Sequence, residues 1–299
     1  MVDSSRRRSV RRDVLTNHNR CWIWGRHAVL ATLRAARWPI LELLIGDRAD
    51  DALWDEAVRL ANEIGIQAVA TDDGSLTKAC RSSEHQGMAA RMSPFPYHTL
   101  EQLGETLPAQ PMLVVLDRLQ DPFNFGAIVR SASTLGLDGI VIGEHEQVDV
   151  NSQVARSSAG AVNHIPIART DDLVAAVDSL RERGFQIVAA SERADAPLYQ
   201  ASFLRPTVAI IGNEGRGIRP ELLARCDQSL SIPMTGQVGS LNAAVAAGIL
   251  FYEMRRQRLT IGCCEDDRQQ SRTGRSAHPT RSGVDGASRR TRFLRRRPR

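Results

Sequence analysis

At 299 residues, with 42% of them hydrophobic, the chain is long enough for a full core and two domains. The formal net charge of +5 comes from the ends. Residues 1–20 carry six Arg against two Asp and residues 271–299 ten Arg against one Asp, leaving 23 basic and 31 acidic side chains between them. An Arg-rich start with no apolar stretch behind it excludes a secretory signal, and the longest apolar run, residues 243–252, is too short to span a bilayer.

In chain order, residues 1–20 read as a basic, disordered tail of the kind that binds nucleic acid or is merely solvated. Residues 21–93 follow as a small α/β unit. A turn at Gly25 leads into a helix with Val29, Leu30 and Leu33 on one face, stopped by Pro39. "ILELLIG" reads as a buried strand, residues 50–65 as an amphipathic helix ending at Gly65, and "IQAVAT" and "GMAARM" as further strands. Residues 94–110, with prolines near both ends, read as a linker. From 111 to 258 strands and helices alternate. Strands are expected at "MLVVLD", "GIVIG", "IPIA", "FQIVAAS", up to Ile211 and at "LSIPM"; helices at 125–135, 154–162, 171–183, from Pro220 and at 241–258. This alternation predicts a parallel sheet covered on both faces. Residues 259–299 read as a second disordered, Arg-rich tail.

The five cysteines form no CxxC pair and no disulfide framework, which suits a reducing, cytoplasmic compartment. No metal-ligand spacing and no Ser/His/Asp arrangement is present, so the site is expected to hold no metal.

Three polar segments each follow a strand of the second unit, where such sheets place ligands. In "LDRLQDPFNFGAIVRSA" (116–132), Asp121 reads as a turn residue and Asn124 as a helix cap. Arg130, among small and apolar neighbours, needs a partner. "IIGNEGRGI" (210–218) looks like a phosphate loop, but its glycines run G-x-x-G-x-G and Glu214 sits inside, so a pyrophosphate would meet a carboxylate. A neutral or cationic ligand suits it better. In "SIPMTGQVGSLNAAVAAGILFYEMRRQR" (231–258), Ser240, Leu241 and Asn242 open a helix whose alanines allow close backbone packing.

Taken together, "DPFNFGAIVRSA", "GNEGRGI" and "IPMTGQVGSLNAAVAAGI" resemble in order and spacing the three signature motifs of the SpoU/TrmH family of RNA ribose 2′-O-methyltransferases. "GRHAVLATLRA" and "HQGMAAR" resemble that family's substrate-binding domain. The arrangement looks most like the bacterial branch that methylates a guanosine of 23S rRNA. The resemblance implies an α/β, trefoil-knotted, parallel-sheet methyltransferase domain behind a small α/β substrate-binding domain, although knots are near-absent in general. It implies S-adenosyl-L-methionine held by Gly212, Ile232, Met234, Leu241 and Asn242. It also implies Arg130 as the catalytic arginine, oriented by Asn124 and Glu214, with Ser240 and Asn242 holding loop and substrate. Arginine does not deprotonate readily, so stabilisation of a developing alkoxide is favoured over general-base action. The expected partners are RNA, ribosomal before transfer RNA, and a second copy of the chain.

Two other readings compete: a non-catalytic RNA-binding protein on the same fold, and a nucleotide-dependent oxidoreductase. Three intact motifs argue against the first. "DRLQDPFN" after the strand, where a glycine-rich turn would be required, argues against the second.

Overall fold

A computed structural model describes residues 22–273 apart from Arg48 and Val238, with side chains as far as Leu259. The 1–20 tail and residues 274–299 of the second tail lie outside the described residues.

The front unit is built from β1 (Trp22–Trp24), α1 (Arg26–Ala35), β2 (Ile40–Gly46), α2 (Asp51–Glu63), β3 (Ala68–Thr71), α3 (Asp73–Cys80) and β4 (Met88–Met92). Its sheet runs β1-β4-β2-β3, with β4 antiparallel to both neighbours and β2 parallel to β3. Strand β1 and helix α3 were not expected from sequence. β1 has three residues, too few for a periodic signal, and α3 contains Gly74 and Thr77 and is secured by its Asp72 cap on Ser75 N–H at 3.0 Å.

The expected linker also contains structure. Thr99 and Gln102 form a reciprocal capping box that starts α4 (Leu100–Glu105), and His98 bridges to Ala168. Prolines flank this helix without interrupting it.

The second unit contains β5 (Met112–Leu116), α5 (Pro122–Thr134), β6 (Gly139–Gly143), α6 (Ser152–Ser157), β7 (Ile167–Thr170), α7 (Leu173–Glu182), β8 (Gln186–Ala190), β9 (Ala196–Pro197), β10 (Thr207–Ile211), α8 (Pro220–Leu223), β11 (Gln228–Ser231) and α9 (Ala243–Thr273). Its seven strands are parallel throughout, in the order β7-β6-β5-β10-β8-β11-β9. Both faces are covered, as expected. In β5, Met112, Val114 and Leu116 point into one core cluster while Leu113 and Val115 point into the other. Helix α9 corrects the expectation that residues 259–299 form a tail from their first residue. The helix runs through Thr273, because elongation gains a hydrogen bond per residue and no proline occurs before Pro279.

The two units share one apolar cluster that includes Val29, Leu33 and Trp38 of the front and Val162 and Ile165 of the back. Polar contacts join them as well. Arg37 Nη1 donates to Ile165 O at 2.8 Å, Asn163 Nδ2 donates to Thr32 Oγ1 at 3.2 Å, and the Arg156 guanidinium lies 4.6 Å from the Trp24 ring centre. Arg156 belongs to α6, which packs directly on α5. A Cβ on Gly126 would fall 1.8 Å from Ser157 Oγ and 2.8 Å from Val154 O, so a glycine is required at the crossing.

Candidate functional site

Asp117 follows β5 and is fully buried. Arg219, beyond the glycine loop, donates to it through its backbone N–H and Nε, both at 2.7 Å, and through Nη2 at 2.6 Å. Arg118, in the left-handed region at φ 60°, adds a contact at 3.2 Å. A buried carboxylate is tolerated where its charge is matched in this way. The pair pins one side of the glycine loop to the sheet.

Within the loop, Asn213 Oδ1 accepts from Gly215 N–H at 3.0 Å and Arg216 N–H at 2.9 Å, while Asn213 Nδ2 donates to Arg118 O at 2.8 Å. The backbones of Asn213 and Gly217 bond to each other. A Cβ on Gly212 would lie 2.4 Å from Gly217 C, and Gly217 has φ 67°, so the loop closes on itself through both glycines.

The loop's other side carries the residues expected from sequence. Asn242 Nδ2 donates to Asn124 Oδ1 at 2.8 Å, and Asn124 Nδ2 donates to Glu214 Oε1 at 3.1 Å. Glu214 Oε1 also accepts from Asp121 N–H at 3.3 Å. Asn242 Oδ1 accepts from Ala244 N–H at 2.9 Å and Val245 N–H at 3.3 Å, at the start of α9. The chain has one direction. A carboxylate accepts only, so Asn124 must turn its NH2 to Glu214 and its oxygen to Asn242, whose own oxygen then faces the helix amides. One residue from each of the three segments is thus joined by hydrogen bonds.

Three expectations need correction. Asp121, not Asn124, caps α5, accepting from Phe123 N–H at 2.9 Å with Pro122 in the first helical position, so Asn124's side chain is free for the chain just described. Arg130 is exposed on α5, where a buried partner was expected, and has no hydrogen bond or ion pair to another described residue. Asn124 and Glu214 bond to each other and leave Arg130 untouched.

The residues expected to hold the cofactor lie on the loops beyond β10 and β11. Gly212 is half-buried beneath the glycine loop and Ile232 is packed against the core. Met234 and Leu241 are 37% and 38% exposed, and Ser240 is exposed with no described hydrogen-bond partner. Among the described residues, the backbone of 232–241 makes no hydrogen bond to other backbone groups. Free amides and carbonyls beside two exposed apolar side chains suit an adenosine, which offers a flat apolar face and a polar edge.

Beside the amide chain, α5 and α9 frame a groove of about 700 Å3 that includes Phe123, Ala127, Val245, Ile249 and Tyr252. Phe123, Val245 and Tyr252 are more than half exposed there. Elsewhere burial pushes the free thiols of Cys80 and Cys226 up to about 11. Among the described residues no three His, Cys, Asp or Glu side chains cluster to hold a metal, and no helix is long and apolar enough to cross a membrane.

A family model described as "SpoU rRNA Methylase family" matches residues 111–252, and one described as "RNA 2'-O ribose methyltransferase substrate binding" matches residues 22–98. Over 244 residues the chain is 33% identical to the putative TrmH family tRNA/rRNA methyltransferase YacO of Bacillus subtilis, covering 81% of this chain and 97% of that one. It is 34% identical over 238 residues to the 23S rRNA (guanosine-2′-O-)-methyltransferase RlmB of Shewanella oneidensis, covering 79% and 97%. The crystal structure of the SpoU methyltransferase AviRb from Streptomyces viridochromogenes, in complex with AdoMet, superposes with a TM-score of 0.69 at 26% identity, covering 80% of this chain and 90% of that one. Fold and loops therefore define an RNA methyltransferase that uses S-adenosylmethionine. The chain belongs to the SpoU family.

Sequence reasoning passed over Asp117 and Arg219 as functional residues. The available signal was a carboxylate directly after five consecutive apolar residues, which forces burial and hence a cationic partner.

Proposed function

We propose that the chain methylates a ribose 2′-hydroxyl of RNA, with a guanosine of 23S rRNA as target. The observation that carries this is the hydrogen-bonded chain Asn242–Asn124–Glu214, which brings the three motifs to one point beside the two ligand loops. Gly212, Ile232, Met234 and Leu241 would hold the cofactor, whose sulfonium supplies an electrophilic methyl group. The 2′-oxygen that receives that methyl group would give up its hydroxyl proton to solvent. Negative charge grows on the oxygen, and the unpaired guanidinium of Arg130 is available to stabilise it and the neighbouring phosphate. The amide chain orients the loops and leaves Arg130 free. Ser240, exposed at the loop's exit, would contact RNA.

The groove between α5 and α9 is read as the seat of a second copy. It is apolar and lined by uncharged residues, so the same face on two chains is self-complementary about a two-fold axis. Arg130 lies two helical turns from Phe123, on the same side of α5, which would bring it to the seam. The trefoil path of the chain and a cytoplasmic location belong to the same reading.

The test is methyl transfer from labelled S-adenosylmethionine to unmodified ribosomal RNA and, in parallel, to unmodified transfer RNA, followed by digestion to nucleosides. Label at one ribose 2′-oxygen of ribosomal RNA is expected. Label in transfer RNA alone would move the substrate to the other class named for the Bacillus relative. No label in either, with the cofactor unbound, would end the proposal.

A further inference from the structure

The loop after β6, residues 144–150, belongs to none of the three motifs, yet it grips the segment that leads into α5. Leu119 lies in that segment and is fully buried. Gln147 Oε1 accepts from Leu119 N–H at 2.8 Å, and Val148 N–H donates to Leu119 O at 2.9 Å. Both backbone groups of Leu119 are therefore satisfied from one loop, where an unpaired buried N–H would be costly. Glu146 of the same loop comes within 3.7 Å of Arg216 in the glycine loop. Arg118 and Glu146 stand in the left-handed region at φ 60° and 55°, a conformation that a residue with a side chain keeps only where its neighbours hold it.

The loop is itself anchored at its far end. Tyr97 Oη accepts from Val150 N–H at 2.7 Å and donates to Asp149 Oδ1 at 3.3 Å. The Arg169 guanidinium covers the Tyr97 ring at 4.3 Å and pairs with Asp149 at 3.2 Å and Glu144 at 3.7 Å. The Tyr97 ring meets Phe95 edge to face, and Phe95 meets Trp38 of the front unit in the same way, each with ring centres 4.9 Å apart. A run of contacts thus leads from the core of the front unit through Tyr97 to Leu119.

We infer that Gln147 is a positioning residue for methyl transfer, setting the start of α5 through Leu119, with Tyr97 holding the loop that carries it. The inference rests on the role given to Arg130 above. Leu119 is two residues before Asp121, which caps α5 and whose N–H reaches Glu214. A shift of Leu119 therefore moves the cap and the Glu214 contact together. Arg130 has no described partner to hold it, so its place is set by where α5 lies. A misplacement of about 1 Å at a reacting centre can cost about 100-fold in rate, so turnover registers a loosened brace before binding does.

The test is steady-state methyl transfer by the full chain to ribosomal RNA, with transfer RNA in parallel, and S-adenosylmethionine binding measured separately by calorimetry. Gln147→Leu keeps the bulk of the side chain and removes the acceptor from Leu119 N–H. It should lower kcat per cofactor-binding site by about tenfold or more, with cofactor Kd within about threefold of the parent's. Gln147→Glu still accepts from Leu119 N–H, giving up only the 3.4 Å contact to Val148 O, and should bring kcat back to within about threefold of the parent. A residue needed for stability alone would instead reduce the fraction of cofactor-binding chains and leave kcat per site unchanged. That result, or a Gln147→Glu as slow as Gln147→Leu, overturns the inference. If Gln147→Leu does not fold, Tyr97→Phe decides. It keeps the ring contacts, leaves Val150 N–H without its acceptor, and should slow transfer by about threefold or more at unaltered cofactor affinity. A rate equal to the parent's there overturns the inference while the function stands. Absence of any transfer by the parent chain counts against the function itself, and the inference falls with it.

Discussion

The glycine loop is fastened on two sides by opposite means. Towards β5 it is held by Asp117, fully buried and bonded through three nitrogens of Arg219. Towards α5 and α9 it is held by amides and a carboxylate that are half-buried or exposed. A buried ion pair cannot lose one partner without stranding the other in low dielectric, so it fixes the scaffold. An exposed hydrogen bond can be exchanged for water at small cost, so it can hold a loop in place and still let it yield to a ligand. The same turn therefore has a rigid root and an adjustable rim.

Removing the root should have the largest effect. Asp117→Ala leaves Arg219 without its acceptor and is expected to destabilise the fold by about 3 kcal/mol, near the low end for a broken buried pair because Arg219 reaches solvent. Urea unfolding measures it, and a loss below about 1 kcal/mol would erase the distinction between root and rim. Arg130 belongs to neither fastener. Arg130→Ala should lower methyl transfer by about 100-fold or more, the scale of one lost charge-stabilising donor, with fold and cofactor affinity near normal. Loss of cofactor binding in that variant would contradict the division of labour.

The rim can be cut selectively. In Asn242→Asp a carboxylate still accepts from Ala244 and Val245 N–H, but it cannot donate to Asn124. Stability should change by less than about 1 kcal/mol, whereas cofactor affinity and turnover should both fall. Equal activity to the parent chain would mean that the amide chain is ornamental. The smallest effect is expected at Glu253, where hydrogen bonds from Arg256 and then Gln257 hold the carboxyl below the usual range. A lowered pKa contributes stability above the ordinary carboxylate value, lost as pH falls through the folded-state value. The gap in melting temperature between the parent chain and Glu253→Gln should accordingly close on acidification from pH 6 to 3.

Much of this could be read from sequence where periodicity is strong. The buried strands 112–116, 139–143 and 207–211 and the helices at 26–35 and 51–63 fall where apolar spacing puts them. Short elements were not readable, since β1 and α3 owe their existence to pairing with β4 and to an Asp cap. At the site, Asn124, Glu214 and Asn242 were picked out by the resemblance to the family's three motifs, and they do meet. Their partners were misassigned, because linear sequence does not say which of two acceptors an amide will face. Arg130's solvent exposure depends on how α5 is rotated, and the Asp117–Arg219 pair spans 102 residues. The first leaves no local trace, and the second leaves only a carboxylate after five apolar residues, with nothing to say which cation meets it.

Gly126 carries a further consequence. Where α5 crosses α6 the α5 side has no room for a side chain, since even a methyl group on Gly126 would collide with Ser157 Oγ and with the backbone oxygen of Val154. Side chains can be compressed or re-rotamered, but backbone atoms in contact cannot. The crossing of α5 on α6 is thereby set by hard contacts, and the polar segment at the start of α5 is held at a fixed place over α6.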